Sequence, residues 1–372
     1  MKKGLILFAF LLGLSALACQ SASSLFPAPV QIPTRLVLPT PTSDISVTQA
    51  IQPMAQPPSN GGAQPSLSPT SVQGSTVAAP TQASRQPGGQ TALIDSPNGR
   101  CAVFPADNPW NRDVSKDPID PNSQNYINYI LNSAKFLHAD FGSDPAWGFP
   151  YVVVPANQAM VPITFTAYGD ESDPSPYPIP LDAPIEGGSD HHVLVIRSGE
   201  CKLYELYNAA QNGAGWQADS GAVFDLNSNK LRPAGWTSAD AAGLPIFPGL
   251  ARYDEVSAGV INHALRFTVK VSQRAYINPA THWASSVTDP NAPPMGLRLR
   301  LKADYDTSWI HGQARVIADA LKKYGMIVAD NGGSWFISGA RDPRWNNDDL
   351  DQLKKVPGSA FEVVQSGQVV RP

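Results

Sequence analysis

A mainly β fold with peripheral helices, an α+β arrangement in one domain, is what this sequence predicts, and three observations carry the expectation. Short apolar runs alternate with turn residues over 151–155, 161–167, 192–197, 202–207, 222–226, 260–271 and 296–301. That spacing is the signature of a sheet-rich body, most simply a β-sandwich or jelly roll. Only a few stretches place apolar residues at helical spacing. From residue 99 to 372 no second linker interrupts the chain, which suits one large domain.

The chain begins with Lys2 and Lys3 before an apolar run over residues 4–17. That run is too short to cross a bilayer and is typical of a signal peptide at 1–18. Ala16-Leu17-Ala18 before Cys19 resembles the lipobox of bacterial lipoproteins, whose cysteine is lipidated. It departs from the usual pattern, in which leucine stands where Ala16 does, and the same residues fit a conventional A-x-A cleavage site. Of the three cysteines, a lipidated Cys19 leaves Cys101 and Cys201 as an even pair, expected to form a disulfide in an oxidising compartment. The favoured expectation is an extracytoplasmic lipoprotein that meets the membrane only through this anchor; a secreted soluble protein is the alternative.

Residues 19–98 are dominated by Pro, Ser, Thr, Gln, Ala and Gly, with Arg35, Asp44 and Arg85 nearly the only charges through residue 90. Such a segment cannot bury enough apolar surface to offset its chain entropy. Its prolines favour extended conformers, so it reads as a stalk. A formal net charge of −4 gives no support to nucleic-acid or anionic-membrane binding.

The globular part opens with a helix after Asp120-Pro121-Asn122-Ser123, with Ile127, Ile130, Leu131, Ala134 and Leu137 along one face. The run 192–197 is apolar on both faces, as a central strand should be. A second amphipathic helix is expected over 313–324, ended by Gly325. Asp330-Asn331-Gly332-Gly333, flanked by apolar runs, predicts a hairpin. Asn346 or Asn347 caps a last helix, whose Asp348, Asp349, Lys354 and Lys355 complement its dipole.

The stretch 232–269 carries the densest grouping of reactive side chains: Asp240, Arg252, Asp254, Glu255, His263 and Arg266. Thr237 or Ser238 is expected to cap a short helix that Gly243 stops, and 253–258 reads as a second one. From Val260 the alternation is that of a strand, which puts His263 and Arg266 on opposite faces.

G-x-S-x-G, H-E-x-x-H, paired C-x-x-C and phosphate-loop signatures are all missing, which argues against an α/β-hydrolase, a zincin, a structural zinc site and an NTPase. Asp190-His191-His192 looks metal-like, but adjacent strand residues face opposite ways. Asp170-Glu171-Ser172-Asp173 and Asp304-Tyr305-Asp306 could offer oxygen to calcium, although solvated turn acids are the favoured explanation. No metal or other cofactor is therefore expected. Glu205 shares a face with Leu203 and Tyr207, where desolvation would raise its pKa and suit it to general acid work.

TSADAAGLPIFPGLARYDEV, INHALRF, PATHWASS, PPMGLRLRL and ALKKYGMIVADNG together resemble a pattern of secreted bacterial proteins with no assigned function, covering about Cys101 to Val364. The resemblance implies that His263 and its surroundings are a family hallmark and transfers no residue roles.

Two functions are carried forward. The first is a carbohydrate-active enzyme acting on a polysaccharide or cell-wall glycan. As a glycoside hydrolase it would pair Glu205 with Asp240 or Glu255. As a polysaccharide lyase it would use His263 as base, with Arg266 or Arg252 neutralising a uronate. Trp236, Tyr177, Arg252 and His282 are the expected substrate contacts. The second is a non-catalytic glycan- or cell-wall-binding lipoprotein. Convergence of Glu205, Asp240 and His263 in one open cleft would favour the enzyme.

Overall fold

The computed structural model describes residues 92–96 and 99–372. The expected signal peptide, Cys19 and the stalk up to residue 91 lie outside the described residues. Strands β1 (Leu93–Ser96) and β2 (Gly99–Ala102) pair as an antiparallel ribbon, so paired backbone begins inside the stretch that composition alone assigns to the stalk. Helix α1 (Ser123–Leu131) follows, then β3 (His138–Ala139), β4 (Tyr151–Val154) and β5 (Ile163–Phe165). Next come β6 (Val193–Arg197), β7 (Lys202–Tyr207), β8 (Ala210–Asn212), β9 (Gly215–Ala218) and β10 (Ser220–Asp225). The last third holds α2 (Tyr253–Ser257), β11 (Leu265–Val269), β12 (Arg298–Leu301), α3 (Gly312–Lys323), β13 (Met326–Asn331), β14 (Phe336–Ile337), α4 (Asn347–Asp351) and β15 (Phe361–Val363).

The architecture is mainly β with few helices. A four-stranded sheet runs β10-β7-β6-β4, a six-stranded sheet β15-β12-β13-β11-β14-β3, and a three-stranded sheet β5-β9-β8. β4 with β6, β11 with β13, β14 with β3 and β5 with β9 are parallel, unlike the all-antiparallel pairing of a jelly roll. β6 is central and dry on both sides. Its Leu194 and Ile196 enter the larger core, which extends to the six-stranded sheet, while Val193 and Val195 enter a smaller one shared with Ile163 and Trp216. The same alternation in β7 turns Glu205, with Leu203, toward the larger core.

Several expectations about elements are corrected, among them the strand expected from Val260, which begins only at Leu265. Residues 237–243 form a turn and not a helix, because Ser238 spends its side chain on the backbone of Asp240 and Leu244. β13 and β14 flank Asp330 to Gly333 but do not pair with each other, because β11 lies between them and bonds to both. The helix over 313–324 forms as read, α1 ends at Leu131, short of the Ala134 and Leu137 expected on its face, and Asn346 caps α4 by accepting the amides of Asp348 and Asp349.

Cys101 and Cys201 are joined by a disulfide, with Cα atoms 5.4 Å apart. It ties β2 to the turn that leads into β7.

Candidate active site

The site is assembled by the turn at 236–244. Its Ser238 hydroxyl bonds to the Leu244 carbonyl (2.6 Å) and accepts the Asp240 amide (2.9 Å), while Ser220 donates to Ser238 O (2.8 Å). Ala242 N bonds Ala329 O of β13 (3.0 Å), and the Ala242 carbonyl accepts the amide of Thr281 (2.9 Å). Gly243 takes φ +71°, and a Cβ there would lie 2.1 Å from Thr281 Oγ1, so the close approach of these two loops requires glycine. Asp240 is thereby fixed opposite β11.

Arg266 on β11 is the centre of the charge cluster. Its Nε and Nη2 donate to the two Asp240 oxygens (2.8 and 2.9 Å), Nη2 also reaches Asp330 Oδ2 (3.3 Å), and Nη1 donates to Ser338 Oγ (2.7 Å). Its guanidinium lies over the Phe149 ring, 5.2 Å from the centroid. Asp240 has no exposed side-chain surface, whereas the Asp330 side chain is 23% exposed. Burial and the neighbouring Asp240 carboxylate push the Asp330 pKa up to about 7, against the pull of Arg266.

Two further groups sit behind this pair. Burial pushes Glu205 up to about 7, although its carboxylate accepts the amides of Ile246 (3.0 Å) and Phe247 (2.9 Å). His192 is buried with both ring nitrogens facing acceptors, Nδ1 toward Glu186 (2.5 Å) and Nε2 toward Ala239 O (2.9 Å). Burial alone would lower its pKa; the Glu186 carboxylate outweighs burial and raises it.

In front lies a cleft of about 250 Å³, lined among others by Tyr168, Asp190, Tyr207, Asp240, His282 and Asp330. Tyr168 is 45% exposed. The Tyr207 hydroxyl is raised above its usual range by partial burial and then by the charges of Asp190, Asp219 and Asp330. Ser220, Thr237 and Ser238 also line the cleft. A pocket with a carboxyl of raised proton affinity, a histidine, tyrosine rings and hydroxyls can bind a polyhydroxylated ligand and donate it a proton.

Of the residues expected from sequence, Asp240, Arg266, Glu205 and His282 come together at or just behind the cleft. Glu255, His263 and Arg252 do not reach it. Arg252 Nη2 bonds Glu255 (2.8 Å) and lies 3.0 Å from His263 Nε2, and His263 donates from Nδ1 to Ala264 O (2.8 Å). None of the three lines a described cavity: Arg252 and Glu255 sit at the start of α2, and His263 lies ahead of β11. Tyr177 is fully buried, its hydroxyl donating to Asp173 O (2.8 Å), so its ring offers no platform to a ligand. Trp236 lies beside a different groove, with the Arg232 guanidinium 5.7 Å from its ring centroid. Of the acids considered for calcium, Asp173 is engaged by Arg232 and the Val223 amide, and Glu171 by the Thr237 amide.

Asp330 is the cleft carboxyl that sequence reading passed over. Next to Asn331-Gly332-Gly333 it looks like a turn acid. The available signal was its position at the end of the apolar strand Met326–Asn331, where a charge is costly unless it is used. His192 was read only as part of Asp190-His191-His192, and its pairing with Glu186, which spans a loop, was not foreseen.

No family model, curated protein or solved structure matches this chain.

Proposed function

We propose that this chain is an extracytoplasmic carbohydrate-active enzyme, a glycoside hydrolase in which Asp330 is the general acid that protonates the departing glycosidic oxygen. What carries the reading is the placement of Asp330, a carboxyl at the cleft wall with its side chain 23% exposed, in contact with Arg266 and with its proton affinity raised by burial and by the neighbouring Asp240 carboxylate. A proton donor for glycoside cleavage needs that combination of exposure and raised affinity. Tyr168 and Tyr207 supply flat faces for sugar rings, and the hydroxyls supply hydrogen-bond partners.

The hydrolase is favoured over the lyase by charge. Asp190, Asp240 and Asp330 line the cleft, and none of the described residues lining it is a lysine or an arginine. A uronate would find there no free cation of the kind that lyase chemistry needs, since Arg266 is committed to Asp240. Lipidation at Cys19 would hold the enzyme at the cell surface, with residues 19–98 as its stalk.

The test is reducing-sugar release from a panel of neutral, amino and acidic polysaccharides, with absorbance of unsaturated products followed in parallel. Asp330→Asn is expected to lose about 100-fold or more in rate, the range of a missing general acid, with its melting temperature kept. Release of unsaturated products, or an unimpaired Asn variant, would refute the assignment. If glycan binds without cleavage, the non-catalytic binding reading takes its place. Cys19→Ala should move the protein from the membrane fraction to the soluble fraction; a variant that stays with membranes contradicts the anchor.

A further inference from the structure

We infer that His282 is the proton acceptor that works opposite Asp330, taking a proton from the attacking water in a single-displacement hydrolysis. The inference rests on the hydrolase reading above. His282 Nδ1 lies 2.7 Å from Ala241 O. A carbonyl oxygen only accepts, so Nδ1 carries the hydrogen, and in the neutral ring Nε2 holds the lone pair. Nε2 has no hydrogen-bond partner among the described residues, and His282 lines the cleft. The ring is also held flat: it stacks on Trp283 at 5.5 Å and 14°, and Trp283 stacks on Tyr276 at 6.2 Å and 6°. Trp283 and Tyr276 thus fix the plane, and Ala241 fixes the tautomer.

The buried histidines provide the contrast. His192 and His263 have both ring nitrogens engaged and are almost fully buried. Neither has a basic nitrogen to offer. The loop carrying His282 is stitched to the acid's own strand, since Asn331 Nδ2 donates to Ala284 O (2.8 Å), so the proposed acid and base share one rigid frame.

In the step, the water oxygen bonds to the anomeric carbon as the bond from that carbon to the leaving oxygen breaks. His282 Nε2 takes the proton of the water, and Asp330 gives its proton to the leaving oxygen. The imidazolium then returns its proton through solvent to the Asp330 carboxylate, and both groups are restored. Because the base activates water and forms no bond to sugar, the anomeric configuration inverts. A carboxylate such as Asp190 acting as nucleophile would retain it.

Two measurements on the full chain test this. Treatment with diethyl pyrocarbonate, read by mass spectrometry, is expected to label His282 and spare His192 and His263; an unlabelled His282 overturns the inference without any substrate. On the glycan that the panel identifies, His282→Ala should lose about 100-fold or more in kcat with KM little changed. Added imidazole should restore part of that loss, which it would not do for a structural defect. His282→Gln, whose amide can still donate to Ala241, guards against misfolding and should show the same loss. NMR of the first product should show the inverted anomer. Near-wild-type turnover in either variant, or retained configuration, overturns the inference while the hydrolase reading stands. If His282 is labelled but the wild type cleaves nothing in the panel, the hydrolase reading fails and the inference falls with it.

Discussion

Burial, and after it the Asp240 carboxylate, raise the proton affinity of Asp330, and Arg266 is too committed elsewhere to offset them. The guanidinium meets both Asp240 oxygens and the Ser338 hydroxyl, and only its longest contact, 3.3 Å, goes to Asp330. One cation thus stands against two carboxylates, and the better-placed one takes it. Removing the competitor should reverse this: Asp240→Asn is expected to lower the Asp330 pKa and move the alkaline limb of the rate profile to lower pH. A limb that stays in place would mean that Asp240 does not tune the acid. Glu205 makes a separable statement about stability. Burial raises its folded pKa to about 7 from the ordinary 4.5, so between those values the native state holds a proton that the unfolded chain has lost. Its contribution is therefore fully present below 4.5 and disappears as pH rises through 7. The loss amounts to at most about 3 kcal/mol at 1.36 kcal/mol per unit. Glu205→Gln keeps an oxygen for the Ile246 and Phe247 amides and should flatten this dependence. Urea denaturation of both proteins at pH 5 and pH 8 checks it; an equal pH dependence in the two would show that Glu205 is ionised throughout.

At the scale of elements, the Arg252, Glu255 and His263 network fastens α2 to the chain entering β11. Burial opposes the Glu255 charge, but Arg252 and His263 hold its pKa below the usual carboxylate range. Losing one member leaves the others buried and short of a partner. His263→Ala should therefore cost about 1–3 kcal/mol and lower the melting temperature, while folded protein at low temperature keeps its rate. Full stability with lost activity would return His263 to the chemistry. This network illustrates what could be read from the sequence and what could not. Helix α3 and the two-faced strand β6 were legible because their periodicity is local, as was the cap at Asn346. The pairing of β11 between β13 and β14 was not, since it brings together segments about sixty residues apart that no short-range turn signal encodes. The polar character of 232–269 was legible too. Which of its charges would face the cleft depended on the Ser238 turn and on where β11 begins, at Leu265 and not at Val260. Asp240 and Arg266, which the sequence singled out, thus meet beside the cleft, and Asp330 was lost to its resemblance to a turn.

At the scale of the whole molecule, the cleft exists because the two larger sheets share one core. The four-stranded sheet contributes Tyr207 and Ser220 to the lining and Glu205 behind it, and the six-stranded sheet contributes Arg266 and Asp330. The disulfide between Cys101 and Cys201 closes a loop of 100 residues. Thiol titration of the denatured, unreduced chain should find neither cysteine free, and replacing both with alanine should cost about 2–5 kcal/mol. Two free thiols would contradict the pairing. The central claim, that this frame exists to keep a protonated carboxyl at the wall of a sugar-sized cleft, has a test that needs no substrate: the carboxyl ¹³C resonance of Asp330, assigned by comparison with Asp330→Asn and followed from pH 3 to pH 9. The account predicts a midpoint at about 7. A midpoint near 4, that of an ordinary solvated aspartate, would contradict it.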